Sequence, residues 1–195
     1  MAVLMILDLE GVTPEQYDQV DELLGGLSPE NAPPGLISHT AGVTDTGLFV
    51  ADVWESPEDI QRFFEAQLGA ALQEAGVPQT QPQIVPVHNH LHGSGSDAAV
   101  IVIVELDGMT TADYDALTAD MDAHAGDSGG HPAVSHVAAV TDDGLVAVDI
   151  WGSEEEFANF GRTELAPRVG DKMDNVKPRF ATVHNHVPVK EPSAH

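Results

Sequence analysis

The chain has 195 residues, no cysteine, and 32 acidic against 7 basic side chains, a formal charge of −25 with its histidines neutral. A surface this negative repels phosphate backbones and anionic lipid, which excludes nucleic acid and membrane surfaces as partners. The lack of thiols excludes disulfides, thiolate metal sites and a cysteine nucleophile, while 42% apolar residues suffice for one large domain or two small ones.

In chain order, the apolar run Ala2–Leu9 predicts a buried strand. Met1–Leu7 lacks a basic segment and runs into Asp8, so it reads as strand rather than secretion signal. No apolar run approaches the roughly eighteen residues of a membrane span, and a cytoplasmic protein is expected. Thr13 caps a helix through Leu24, with Pro14 in its first turn. Gly35–Val43 and Gly47–Trp54 form a hairpin about Thr44-Asp45-Thr46-Gly47. Ser56 caps a second helix that opens with Pro57, Glu58 and Asp59 and carries Ile60, Phe63, Phe64 and Leu68 at helical spacing. Ile84–His90 is the fourth strand, completing β-α-β-β-α-β.

The chain then repeats itself. Val3–Thr13 matches Val100–Thr110, and the same offset carries Tyr17-Asp18 onto Tyr114-Asp115 and Ser38-His39 onto Ser135-His136. It also carries Asp52-Val53-Trp54 onto Asp149-Ile150-Trp151 and Phe63 onto Phe160. Val87-His88-Asn89-His90 recurs, one residue short of that offset, as Val183-His184-Asn185-His186. The expected organisation is a first repeat over 1–92, a Gly/Ser linker over 93–97, a second repeat over 98–189 and a tail over 190–195. One such unit leaves a sheet face uncovered, and two joined units can close those faces on each other. The predicted fold is α+β: two ferredoxin-like repeats forming a pseudo-twofold, eight-stranded barrel with helices outside.

A split β-α-β repeat in which Gly47-Leu48-Phe49-Val50-Ala51-Asp52-Val53-Trp54-Glu55-Ser56-Pro57-Glu58 leads into an amphipathic helix resembles the dimeric α/β-barrel superfamily. The nearest likeness is to the antibiotic biosynthesis monooxygenase-like group, here as a fused dimer. The resemblance implies a small-molecule enzyme that oxidises or rearranges a small aromatic or polyketide-derived substrate, and it leaves room for the fused pair to oligomerise further. Haem-dependent branches of the superfamily ligate iron through a histidine in or after the second helix. Neither residues 58–75 nor 155–169 contains one, which argues against haem.

Six of the ten histidines are repeat-equivalent: His39 with His136, His88 with His184, and His90 with His186. A two-residue turn at Asp45-Thr46 places His39 opposite Asp52, Ile37 opposite Trp54 and His136 opposite Asp149, each opposed pair on one sheet face. A carboxylate there fixes the imidazole tautomer and raises its basicity. The apolar set Phe49, Ala51 and Val53 is expected under the helices, which turns Asp52 and Trp54 into the barrel, together with His88 and His90.

Two mixed constellations follow from the strand order 4-1-3-2: His39, Asp52, His184 and His186 in one, and His136, Asp149, His88 and His90 in the other. Three imidazoles and a carboxylate suit a zinc, iron, nickel or copper ion. They equally suit metal-free acid/base catalysis by His39–Asp52 and His136–Asp149, or a structural role at the barrel rim. A non-catalytic metal- or ligand-binding protein is the alternative from another class. Trp54 and Trp151 could wall a cavity for an aromatic ligand. Tyr17 and Tyr114 are expected to be packing, and His92, His124, His131 and His195 to lie on the surface.

Overall fold

The computed structural model describes residues 1–95, 97–124, 131–169 and 176–189. His195, the side chain of His124 and the predicted tail lie outside the described residues.

The strands are β1 (Val3–Glu10), β2 (Leu36–Val43), β3 (Gly47–Trp54), β4 (Gln83–His92), β5 (Val100–Asp107), β6 (Ser135–Val140), β7 (Gly144–Trp151) and β8 (Arg179–Pro188). The helices are α1 (Pro14–Leu23), α2 (Pro57–Phe63), α3 (Gly69–Glu74), α4 (Thr111–His124), α5 (Glu154–Phe160) and α6 (Ala166–Val169). The strands hydrogen-bond in the order β1-β3-β2-β8-β5-β7-β6-β4, a closed barrel. No described helix is long and apolar enough to cross a membrane.

Local chemistry sets the boundaries. Thr13 caps α1 in a full capping box with Gln16, and Ser56 caps α2 by accepting from the Asp59 N–H. At the β2–β3 turn, Gly47 has φ +156°, and a Cβ there would sit 2.2 Å from the Leu9 carbonyl oxygen; only glycine fits. Five-residue π-helical segments, Phe64–Leu68 and Gly161–Leu165, interrupt the second helix of each repeat, a break that the helical spacing did not announce.

The compact units are not the two repeats. Unit 1 is Met1–Val87 with most of β8, and unit 2 is His88–Phe180. Each therefore takes a strand end from the other half of the sequence. In unit 1, β1 pairs antiparallel with β3 and β4, and β2 pairs with β3 and β8. In unit 2, β7 pairs with β5 and β6.

Two registers depart from the simple count. Leu36, not Ile37, faces Trp54, because the β2–β3 ladder shifts between Leu36 and Ser38. The β2–β8 ladder shifts again, Ala41 facing Asn185 and Gly42 facing Val183, so His184 is the extra residue of a β-bulge.

The expected facing of β3 is reversed. Leu48 packs with Val12, Val20, Ala71 and Ala75 of the helical layer, and Trp54 packs with Ile60 and Phe63. The helices thus cover Leu48, Val50, Asp52 and Trp54, while Phe49, Ala51 and Val53 fill the opposite face. Both faces are buried, with Phe49 and Trp54 at 0% and 1% exposure. A strand buried on both sides carries no polar alternation by which to assign them.

Candidate functional site

The side chains that converge in unit 1 come from four elements. On α1, Tyr17 sits one turn before Val20 and Asp21; β2 supplies His39, β3 supplies Asp52, and the bulged β8 supplies Asn185. His39 and Asp52 are directly opposed in the ladder, both buried, with Nδ1 and Oδ1 2.7 Å apart. His39 Nε2 lies 2.7 Å from the Tyr17 hydroxyl, which also accepts from Asn185 Nδ2 at 3.0 Å.

Donor logic orients this chain. An ionised Asp52 can only accept, so His39 Nδ1–H donates to it. His39 Nε2 is then a lone pair that takes the Tyr17 O–H, and Asn185 donates to the phenol oxygen. Burial pushes the Tyr17 phenol well above its ordinary range, offset in part by the Asn185 bond, so the tyrosine holds its proton.

A second pair lies beside the first. His184 Nε2 bonds Asp18 Oδ1 at 2.7 Å, and its ring stands at 88° to the Tyr17 ring, centroids 5.2 Å apart. The bulge explains why both His184 and Asn185 reach Tyr17: the extra residue breaks the alternation that would have sent Asn185 to the far face.

Unit 2 repeats the arrangement. Asp149 Oδ1 lies 2.5 Å from His136 Nδ1, and Tyr114 OH lies 2.7 Å from His136 Nε2. Asn89 Nδ2 donates to that hydroxyl at 2.9 Å, and His88 Nε2 bonds Asp115 Oδ1 at 2.7 Å. Burial raises the Tyr114 phenol to about 12. The predicted His–Asp pairs are therefore present in both units, but beneath the helices rather than inside the barrel.

The predicted constellation of three imidazoles and a carboxylate does not form. His186 bonds Thr40 Oγ1 at 3.0 Å. Thr40 alternates with His39 along β2, which puts His186 on the sheet face away from Asp52. His90 lies beside His92, ring centroids 5.7 Å apart, while His88 and His184 are held by Asp115 and Asp18. Both nitrogens of His39, and both of His136, are already engaged. Among the described residues no group of three or more His, Cys, Asp or Glu side chains could hold a metal ion, so the donor set does not fit a transition-metal site.

Sequence reasoning missed Tyr17 and Tyr114, read as packing, and gave Asn89 and Asn185 no role; it turned His88 into the barrel, whereas His88 bonds Asp115 of α4. The signal was present, since Tyr-Asp and His-Asn-His recur as intact strings in both repeats. It also placed His131 on the surface, whereas the structure half-buries it. Its ring centroid lies 5.1 Å from that of His136, 5.8 Å from Trp151 and 5.0 Å from Phe160.

Beside the relay, unit 1 holds a cavity of about 370 Å³, walled mainly by apolar side chains that include Leu7, Val20, Val50, Trp54 and Phe63. His39, Asp52 and Tyr17 also line it. Gln67 and Leu68 reach it from the first π-helical segment. The Trp54 ring lies against Phe63, tilted by 35° with centroids 5.6 Å apart, and its buried Nε1–H finds no acceptor among the described residues.

No family model matches the chain, and no curated protein does. Solved structures do. A protein provisionally described as a monooxygenase from Lactobacillus acidophilus NCFM aligns over 100% of this chain and 99% of its own, at TM-score 0.67 and 10% identity. A ferredoxin-fold protein related to antibiotic biosynthesis monooxygenases, from Listeria monocytogenes 4b F2365, aligns over 95% of each chain at TM-score 0.55 and 12% identity. A mutant chlorite dismutase from Candidatus Nitrospira defluvii aligns over 94% of this chain and 90% of its own, at TM-score 0.55 and 13% identity. At these identities the likeness is one of fold. The chain shares the ferredoxin-like α+β fold of these structures.

Proposed function

We propose that the chain is a small-molecule enzyme of the monooxygenase-like group, in which Asp52, His39 and Tyr17 take a proton from an enolisable or phenolic substrate bound in the unit 1 cavity. The observation that carries this reading is the Asp52–His39–Tyr17 chain ending at the wall of an apolar cavity. Its volume of about 370 Å³ falls within the range of small-molecule pockets. The open Trp54 N–H is a donor for a substrate oxygen.

The protons balance without an outside acid. The substrate O–H or activated C–H passes its proton to the Tyr17 oxygen as Tyr17 passes its own to His39 Nε2. The imidazolium so formed is held against the Asp52 carboxylate. Asn185 steadies the phenol oxygen while it changes partners. The product is an enolate or phenolate in an apolar chamber, the species that oxidation by dioxygen or cyclisation would consume. Tyr17 is pushed above its ordinary pKa by burial, so it serves as a relay rather than as a standing base.

The test is a panel of two- and three-ring phenols and benzylic ketones, followed by anion absorbance and oxygen uptake. Turnover by the unaltered protein, reduced ~10²-fold or more in His39→Ala and Tyr17→Phe, is expected. Turnover unaffected by both substitutions, or no binding of any panel member, refutes the proposal.

A further inference from the structure

The two units carry the same relay, but they differ in what lies against it. In unit 1 the space bounded by His39, Trp54 and Phe63 is the cavity. The repeat-equivalent residues in unit 2 are His136, Trp151 and Phe160, and the His131 imidazole is packed against all three, with centroids 5.0 to 5.8 Å away. The residue of the first repeat that corresponds to His131 is Pro34, which lines the unit 1 cavity wall. One position thus differs between a short ring at the wall and a longer ring reaching inward.

His131 is also fixed in place. The Ser94 N–H donates to its carbonyl at 2.8 Å, the Gly95 N–H to the Ala133 carbonyl at 3.1 Å and the Gly93 N–H to the Val134 carbonyl at 3.1 Å. The Ala133 N–H donates to the ring Nδ1 at 3.3 Å. A Cβ on Gly93 would stand 2.0 Å from the Ala133 carbonyl oxygen, and one on Gly95 2.9 Å from the Pro132 carbonyl oxygen. The described glycines of the expected linker are therefore a seat for the backbone that presents His131, not slack chain.

Resting on the functional reading above, we infer that the relay-side cavity of unit 1 is a substrate site and that, among the described residues, the side chain of His131 takes up its counterpart in unit 2 and seals the second relay. The unit 2 cavity of about 470 Å³ at Pro132, Trp151 and Phe160 is not lined by His136, Tyr114 or Asp149. The geometry makes His131 the residue that sets the number of sites.

Titration calorimetry of the full chain with 2-naphthol tests this, on the unaltered protein, on His131→Ala, and on His131→Pro, which copies the first repeat. Circular dichroism confirms folding of each variant. One equivalent bound by the unaltered chain and two by either folded variant supports the inference. Two equivalents bound by the unaltered chain, or an unchanged count in the variants, overturns it. If the unaltered chain binds none and the variants bind one, the unit 1 cavity is not a site for such rings and the functional reading fails, while the seal by His131 stands. A measurement on the unaltered protein alone guards against misfolded variants. Nuclear Overhauser contacts from the His131 ring to the Trp151 and Phe160 rings persist with 2-naphthol present if the inference holds, and their loss on binding overturns it.

Discussion

Replacing His131 by phenylalanine keeps a ring against His136, Trp151 and Phe160 and removes a titrating group. Burial, helped by the nearby His136, lowers the folded-state pKa of His131 from the ordinary 6.5 to about 4. As pH falls through 6.5 the unfolded imidazole takes up a proton, while the folded one stays neutral until about pH 4. In that window the unfolded state binds more protons, so stability is fully present above pH 6.5 and is lost as pH falls toward 4. The gap between the two pKa values corresponds to about 3 kcal/mol at 1.36 kcal/mol per unit. His136 and Asp149 are present in both proteins, so the difference between them isolates His131. Urea unfolding of the unaltered chain and His131→Phe at several pH values from 7.5 to 4 reads it directly. The unaltered protein should lose about 3 kcal/mol relative to the variant over that range. Parallel stability curves would show that His131 is not held out of water, and the packing argument would fail.

Three further outcomes are expected. Asp52→Asn frees His39 Nδ1 from a charged acceptor and permits the wrong tautomer; turnover should fall ~10²- to 10⁴-fold with substrate binding nearly unchanged, separable as kcat against KM. Gly47→Ala must place its Cβ beside the Leu9 carbonyl oxygen, and should lower stability by more than about 1 kcal/mol in chemical denaturation. Because the imidazoles are partnered by Asp, Tyr and Thr rather than gathered about one point, EDTA and added zinc should each leave Tm unchanged; a rise with stoichiometric zinc would contradict this geometry.

Most of the architecture was legible because each local signal agreed with the next. The Thr13 and Ser56 caps, the glycine at the β2–β3 turn and the duplicated strings together dictate the element order, and the turn length alone sets His39 against Asp52. Three things were not legible. The facing of β3 was hidden because Phe49 and Trp54 are equally buried on opposite sides. The bulge at His184 depends on how β8 meets β2, a pairing remote in sequence, and it decides whether Asn185 reaches Tyr17. His131 has no repeat partner, so the duplication that drew attention to the other histidines drew it away from this one.

The hydrogen bond between Asn185 and Tyr17 joins residues 168 positions apart. Neither half of the gene encodes a finished relay: residues before the Gly/Ser stretch lack Asn185, and residues after it lack Asn89. Cleaved there, the protein would become two fragments that are each other's missing component, inert apart and restored by mixing. The tether that joins them supplies an effective concentration on the order of millimolar, so gene fusion here replaces a concentration-dependent encounter with a permanent one. It also frees the two halves to diverge, since a change such as that from Pro34 to His131 can alter one site without being copied into the other.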